Sequence, residues 1–293
     1  MFSLLQKLKS SPMGVALLKT RKILPRTGYR IIDAPKMRHM IRDIMDEARR
    51  KDMIHISFDV ELAGIHTQME KYSAQLGIQV TLTTYIAKVL ADSVAAEPEM
   101  HAYLNSKRQL IVFEDVDLSV MTERKVDGIR LPVPLVIRAA NRKGLVEIDA
   151  AMKEAKRKPL HVGGGPLSAL ESQFYSLPRF VRKIIWFFVR RDPRLFKAVA
   201  GTVALTSLPW KIDGRAIGWT ISPMTLTLIV AATSKRVALI EGKPVEQEVL
   251  QLNFSADHNI IDGAPLWRFI ARFKKRLVTD LPAAPPPTTV APP

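Results

Sequence analysis

The chain has 293 residues, of which 47% are hydrophobic, so it is long enough to bury a core in one large domain or two small ones. Its formal net charge of +16 favours an anionic partner: a phosphate-bearing ligand, an acidic protein, nucleic acid or an anionic membrane. The absence of cysteine excludes disulfides, thiolate metal sites and a cysteine nucleophile. Because no run of about 20 apolar residues occurs, we expect no transmembrane segment.

Residues 1–33 form a basic arm, whose first 30 positions hold seven Lys or Arg and no acid. After it, helical and alternating apolar spacings predict the elements of the first half in turn. They are a helix over 37–50, a strand over 54–60, a helix over 62–76 ended by Gly77, a helix over about 83–96, strands over 110–121 and 129–138 separated by a turn at 123–128, and a helix over 144–157.

The second half continues with strands and a final helix. The predicted elements are strands over about 201–207, 225–232 and 249–257, turns at Asp213-Gly214 and Glu241–Pro244, and a helix over about 264–281. The tail 282–293 holds six prolines and no charge, which predicts disorder. Strands and helices that do not strictly alternate favour an α/β sandwich with a mixed sheet.

The segment 159–200 stands apart from this pattern. A hinge, Gly163-Gly164-Gly165-Pro166, precedes a helical stretch over 174–191 whose apolar face is flanked by arginine and lysine. One interpretation is an elaborated connection that packs on the domain. The other is an amphipathic surface for a membrane or a protein partner, since aromatic anchors with basic flanks are typical of an interfacial helix. The stretch is too short and too charged to span a bilayer.

The candidate catalytic residue is His258, in the segment Asp257-His258-Asn259-Ile260-Ile261-Asp262-Gly263. It lies at a predicted strand-to-helix turn, where rigid elements present functional groups. Histidine is the side chain best suited to remove a proton near neutral pH. From the residues alone, a satisfied core histidine remains an equal alternative.

This segment resembles the D-H-R-x-x-D-G signature of the catalytic domains of 2-oxoacid dehydrogenase E2 acyltransferases, which share the chloramphenicol acetyltransferase fold. The resemblance covers roughly residues 35–158 and 200–281. Further segments similar to the family lie at 97–99, 116–120, 131–138 and 141–145.

The resemblance implies a trimeric α/β two-layer sandwich that transfers an acyl group between CoA and a thiol or hydroxyl acceptor, without a metal. His258 would be the general base, and Asp262 would order the site through a salt bridge, with Arg38 as its partner. Thr206 would supply the oxyanion hydrogen bond from a neighbouring subunit; Ser207 is the alternative donor, and a threonine without a role stays open. Asp257 and Gly263 are interpreted as structural.

The chain also departs from the family. Asn259 replaces the usual arginine, and residues 1–33 are too short for the lipoyl and subunit-binding domains of E2 proteins, so we expect no lipoate bound to this chain. The acceptor would then be a lipoyl domain on another chain or a different group. We expect a catalytic domain over 34–281, a cytoplasmic or membrane-peripheral location and no nucleic-acid partner. The competing hypothesis is a catalytically idle E2-like trimer, kept as a scaffold or for docking through 174–191.

Overall fold

The computed structural model describes residues 28, 37–126, 129–157, 174, 177–208, 217–279 and 281. The chain divides into two units, Met1–Arg38 and His39–Pro293. Apart from the first two residues of its first helix, the fold described below is that of the second unit. The predicted arm 1–33 apart from Gly28, the glycine hinge at 163–166 and the proline-rich tail lie outside the described residues, so the predicted domain boundaries stay predictions.

Seven α-helices are described. They are α1 Met37–Ala48, α2 Leu62–Leu76, α3 Leu82–Ala95, α4 Leu145–Arg157, α5 Arg179–Val189, α6 Pro193–Ala200 and α7 Gly263–Leu277. Within the same parts of the chain, none of the helices is long and apolar enough to cross a membrane.

Six of the eight described strands form one mixed sheet in the order β1-β8-β7-β6-β4-β5. The strands are β1 Met53–Glu61, β2 Tyr103–Leu104, β3 Leu110–Ile111, β4 Leu118–Val126, β5 Ile129–Ile137, β6 Val203–Ser207, β7 Leu226–Ile240 and β8 Lys243–Asp257. Strand β6 runs parallel to both of its neighbours, and the other pairs are antiparallel. The mixed α/β architecture predicted from the sequence is confirmed.

Successive residues of each strand point to opposite faces of this sheet, and the two faces are covered differently. On one face, Leu205 of β6 and Phe254 of β8 pack with α2, α3, α4 and α7 in the main hydrophobic core. On the other face, Ala204 of β6 packs with Trp186 of α5 and Phe196 of α6 in a smaller cluster. The helices α5 and α6 therefore belong to the face opposite the main helical layer.

The predicted bounds of three strands and of one turn were wrong. The single strand predicted over 110–121 is two strands in different sheets, because the backbone N–H of Val116 donates to the side chain of Asn141 (2.9 Å) rather than to a neighbouring strand. The turn predicted over 123–128 is mostly strand, since β4 and β5 pair as far as Val126 and Ile129. Strands β7 and β8 also extend beyond their predicted ends and form a long hairpin that closes at Glu241-Gly242.

Candidate active site

The turn that carries His258 is tied together by the side chain of Asp257, the last residue of β8. Its Oδ1 accepts hydrogen bonds from the backbone and side-chain nitrogens of Asn259, at 3.2 and 3.0 Å. Its carbonyl accepts from the backbone of Ile260 and Ile261. Asp257 is buried and both of its carboxylate oxygens accept hydrogen bonds, so its structural role agrees with the interpretation from the sequence.

A second anchor comes from the turn before β1, more than 200 residues earlier in the chain. Lys51 Nζ donates to Asp257 Oδ2 at 2.7 Å, and both side chains are mostly buried. The backbone N–H of His258 donates to the carbonyl of Asp52 (2.7 Å), and the Asp52 carboxylate accepts from Asn259 Nδ2 (3.1 Å). Lys51 and Asp52 were missed by the sequence reasoning, because no local pattern links them to the histidine turn.

His258 and Asp262 lie together, a contact that the sequence analysis did not propose because it paired Asp262 with Arg38. The distance from His258 Nδ1 to Asp262 Oδ1 is 3.4 Å, which is an ion-pair distance rather than a short hydrogen bond. The carboxylate faces Nδ1 and favours the tautomer with its proton on that nitrogen, which leaves Nε2 as the basic atom. Within this chain the two side chains are 48% and 80% exposed, so water reaches the histidine freely.

Thr206 lies on β6 with its side chain on the same face as Ala204, opposite the face of Leu205. It borders a cavity of about 270 Å³ between the sheet and α5 and α6. Ser207, the alternative donor, follows on the opposite face with Leu205. Strand geometry therefore separates the two candidate hydroxyls, and Thr206 is the one that lines the cavity.

Within one chain, Thr206 and His258 are far apart. Thr206 is in register with Ile229 of β7, which is in register with Asn253 of β8, five residues before the histidine. Ideal sheet spacings then separate them by roughly 15–20 Å. The two residues cannot act on one carbonyl group within a single copy of the chain.

Arg38 and Gly263 are the two remaining residues that the sequence analysis placed at the site. Arg38 lies in the first unit of the chain and is exposed, and its pairing with Asp262 stays a prediction. Gly263 begins α7 as expected, but a Cβ added there would meet no atom within 4 Å. A requirement for glycine at this position does not arise from the fold of one copy.

The helix α5 buries an arginine together with Trp186 on the face that packs against the protein, and it exposes apolar residues on its outer face. Its Arg182 is buried and donates to Asp43 of α1 at 2.6 Å, while Arg179 pairs with Asp46 at 2.9 Å. The hydrogen bond from Arg179 holds the pKa of Asp46 below its usual range. The exposed side of the helix carries large apolar residues instead: Phe180, Ile184 and Phe188.

The family comparison matches two stretches of the chain that include the histidine turn. A family model described as 2-oxoacid dehydrogenases acyltransferase (catalytic domain) matches residues 27–160 and 221–282. The chain belongs to this family. The resemblance drawn from the sequence is confirmed, and both His258 and Asp262 fall within the part that matches this acyltransferase family, whereas Thr206 lies between the two matched stretches.

Two curated relatives in the acyltransferase family come from Rickettsia. Both are dihydrolipoyllysine-residue acetyltransferase components of the pyruvate dehydrogenase complex, from Rickettsia prowazekii (20% identical) and Rickettsia typhi (21% identical). Each similarity extends over 260 residues, which is 84% of this chain and 53% or 54% of the relative. The chain thus spans about half the length of the curated relatives it matches.

Solved structures of the acyltransferase family share the fold. A probable dihydrolipoamide acetyltransferase from Listeria monocytogenes has a TM-score of 0.59 at 16% identity, covering 85% of this chain and 94% of that one. A truncated catalytic core of the 2-oxoacid dehydrogenase complex from Thermoplasma acidophilum has a TM-score of 0.57 at 22% identity, covering 85% and 98%. Dihydrolipoamide acetyltransferase from Azotobacter vinelandii gives 0.56 at 18% identity, covering 87% and 97%.

Proposed function

We propose that the protein is an acyltransferase that moves an acyl group between CoA and a thiol acceptor of the dihydrolipoyl type. The observation that carries the proposal is the His258–Asp262 pair, held on a rigid turn at the end of β8 in a chain of this family. Two long-range anchors, Lys51 and Asp52, fix this turn and with it the position of His258.

The proposed reaction needs no acyl-enzyme. His258 Nε2 takes the proton of the acceptor thiol, whose pKa near 8.5 lies within reach of an imidazole near neutral pH. The thiolate sulfur bonds to the carbonyl carbon of the acyl-CoA, and the Thr206 hydroxyl donates a hydrogen bond to the resulting oxyanion. When the bond to the CoA sulfur breaks, the proton on His258 passes to the CoA thiolate, and the base is restored.

The proposal requires two copies of the chain, in a trimer or a larger closed assembly. The separation of Thr206 from His258 within one copy supports this arrangement, because Thr206 of one copy would then face His258 of a neighbouring copy. The exposure of His258 supports it too, since a neighbouring copy would exclude water from the base.

The choice of Thr206 and Asp262 is supported by the Azotobacter vinelandii enzyme. A crystallographic and enzymatic study of that protein concerns the roles of a serine, a histidine and an asparagine in its catalytic mechanism. The two intervals between those residues along its chain, 52 and 4 positions, equal those from Thr206 to His258 and from His258 to Asp262. The acceptor we propose is a lipoyl group on another chain, in the cytoplasm.

The test is CoA release from acyl-CoA with dihydrolipoamide as acceptor. His258→Ala should lower turnover by about 10²–10⁴-fold, the usual contribution of a general base. The matched control is His66→Ala, at an exposed position of α2. Thr206→Val should lower kcat by about 10²-fold with little change in KM, whereas Ser207→Ala should not. Full activity of a folded His258→Ala variant would refute the proposal.

The exposed apolar face of α5 favours a second candidate function, attachment to an anionic membrane surface. Phe180, Ile184 and Phe188 face outward, and Lys183 and Arg191 lie beside them without an ion pair to a described residue. Apolar anchors with basic flanks suit the boundary between headgroups and acyl chains.

Flotation with phosphatidylserine-containing vesicles tests this attachment. The variant Phe180→Ser/Phe188→Ser should float less than the wild type. The control is Val237→Ser/Leu239→Ser, which removes two equally exposed apolar side chains from the β7–β8 hairpin. Equal flotation of the two variants, or no flotation of the wild type, would contradict membrane attachment. The apolar face of α5 would then be assigned to a contact with a protein.

A further inference from the structure

The cavity beside Thr206 is mostly apolar. Side chains of β4, β5, β6 and β7 make its floor on one face of the sheet. Helices α1, α5 and α6 and residues 220–224 make the rest of its wall, and its volume is about 270 Å³. The apolar residues that define its shape are Met121, Pro134, Val136, Trp186, Phe196 and Val199.

The polar groups on its wall are largely paired with one another. Thr227 donates to Ser222 at 2.7 Å, and Thr220 donates to the carbonyl of Ile221 at 3.0 Å. Among the described residues, none hydrogen-bonds to the hydroxyl of Thr206. The lining also includes the polar groups of Glu47 and Ser119 and the indole N–H of Trp186, and most of the remaining wall is hydrocarbon.

Part of this wall, the helices α5 and α6, comes from a part of the chain that the family model does not cover. The match leaves out residues 161–220, and this gap contains both α5 and α6. The floor on β4 and β5 lies inside the match. Two helices outside the matched stretches therefore help to close the space next to the proposed oxyanion donor.

We propose that this cavity holds the hydrocarbon tail of the acyl group, and that the donor is a medium-chain acyl-CoA of about six to ten carbons. The proposal rests on the proposed function, because it places the thioester carbonyl at Thr206. With the carbonyl oxygen at that hydroxyl, the acyl tail enters the cavity and the CoA sulfur points away from it.

The size of the cavity sets the chain length. An apolar cavity of about 150 Å³ is enough for benzene, with six carbons. In proportion, about 270 Å³ holds roughly ten carbons when filled and fewer when part of the space stays empty. An acetyl group, with one methyl beyond its carbonyl, would leave most of the apolar wall without contacts.

Chain length should therefore change affinity in steps. Burying one methylene is worth about 0.8 kcal/mol, which is about fourfold in a binding constant. We expect the Kd to fall by up to about fourfold for each added methylene from acetyl-CoA to octanoyl-CoA. Beyond about ten carbons the tail no longer fits, and the Kd should rise again.

The first experiment measures binding without turnover. Acetyl-, butyryl-, octanoyl- and palmitoyl-CoA are titrated into the full chain by calorimetry in the absence of an acceptor, with free CoA as the reference. Tightest binding of octanoyl-CoA is the expected result. Equal Kd values for acetyl- and octanoyl-CoA would overturn the proposal, whatever the activity.

The second experiment fills the cavity. Ala200 of α6 lines it, and Ala200→Leu should weaken octanoyl-CoA binding at least tenfold relative to acetyl-CoA. Ala198→Leu is the matched control, two residues earlier on an exposed position of the same helix. Ala204→Leu on β6 fills the space from the floor and should move the preferred length in the same direction. An unchanged chain-length profile in both filling variants would overturn the proposal.

The two proposals fail in different ways. Preferential binding of octanoyl-CoA with no transfer to dihydrolipoamide would refute the acyl transfer and keep the acyl-binding cavity. Transfer that is fastest with acetyl-CoA, together with length-independent binding, would keep the transferase and refute the cavity.

Discussion

His101 is a buried histidine whose environment makes a quantitative prediction about stability. Its side chain is fully buried; Nε2 donates to the carbonyl of Phe113 at 2.9 Å, and Nδ1 accepts from the hydroxyl of Thr202 at 3.0 Å. Thr202 immediately precedes β6, so the histidine supports the strand that carries Thr206. Burial, as the main cause, lowers the pKa of His101 from its ordinary value of 6.5 to about 4.

The sign of the pH dependence follows from this pKa. Between pH 6.5 and about 4 the unfolded chain binds a proton at His101 that the folded chain does not, so the free energy of unfolding falls as the pH falls. At about 1.4 kcal/mol for each pH unit, the histidine removes roughly 2 kcal/mol by pH 5 and roughly 3 kcal/mol by pH 4. Above pH 6.5 its contribution is constant.

Urea denaturation at fixed protein concentration from pH 7.5 to 5 tests this reasoning. His101→Gln keeps a donor for Phe113 but cannot gain a charge, so its stability should fall less steeply than that of the wild type. The difference between the two should change by roughly 2 kcal/mol across this range. His66→Gln, on an exposed position of α2, is the control. Parallel pH dependences for the wild type and His101→Gln would refute the argument.

Two other predictions concern the supports of the site. Arg182→Met removes the ion-pair partner of buried Asp43 and should lower the free energy of unfolding, measured by urea denaturation, by about 3–5 kcal/mol. Arg179→Met breaks a part-exposed pair and should lower it by at most about 1 kcal/mol. Equal losses in the two variants would contradict this reasoning. Gly201→Ala should destabilise by several kcal/mol and lower turnover, because φ is +86° and a Cβ would lie 2.7 Å from the backbone oxygen of Asp117, the residue before β4. Gly242→Ala, at φ +78° with open space around it, should cost only about 1 kcal/mol, and a similar loss in both would be evidence against the steric cause.

The sequence predicted those elements whose signals are local. Helix α2 was predicted with its observed bounds, because apolar spacing gives its core face and Gly77, at φ +64°, ends it in the left-handed conformation. The outer half of the β7–β8 hairpin was missed. Residues 235–248 are mostly exposed and pair only with one another, so no buried face imposes an alternating pattern on them.

For the site too, the sequence predicted the features that depend on residues close together in the chain and missed those that depend on distant ones. His258 and Asp262 lie four residues apart in one segment, from which both were predicted as site residues, although their contact was not. The anchors Lys51 and Asp52 are not predictable in this way, because the pairing of β1 with β8 brings them to the turn from the other end of the chain. The same holds for the cavity at Thr206, which exists only once α5 and α6 cover the sheet.

The two prolines of β5 have a consequence for how copies of this chain can associate. Strand β5 is one edge of the sheet, and its ladder to β4 is unbroken from Ile137 to Ile129. Pro132 and Pro134, two residues apart, lack their backbone N–H groups on the same side of the strand, which must be the outer side because the inner ladder is intact. An incoming strand would find donors missing at two consecutive outward positions. Sheet extension is thereby blocked at β5, and edge-to-edge pairing is left to β1 at the opposite edge and to the outer half of the β7–β8 hairpin.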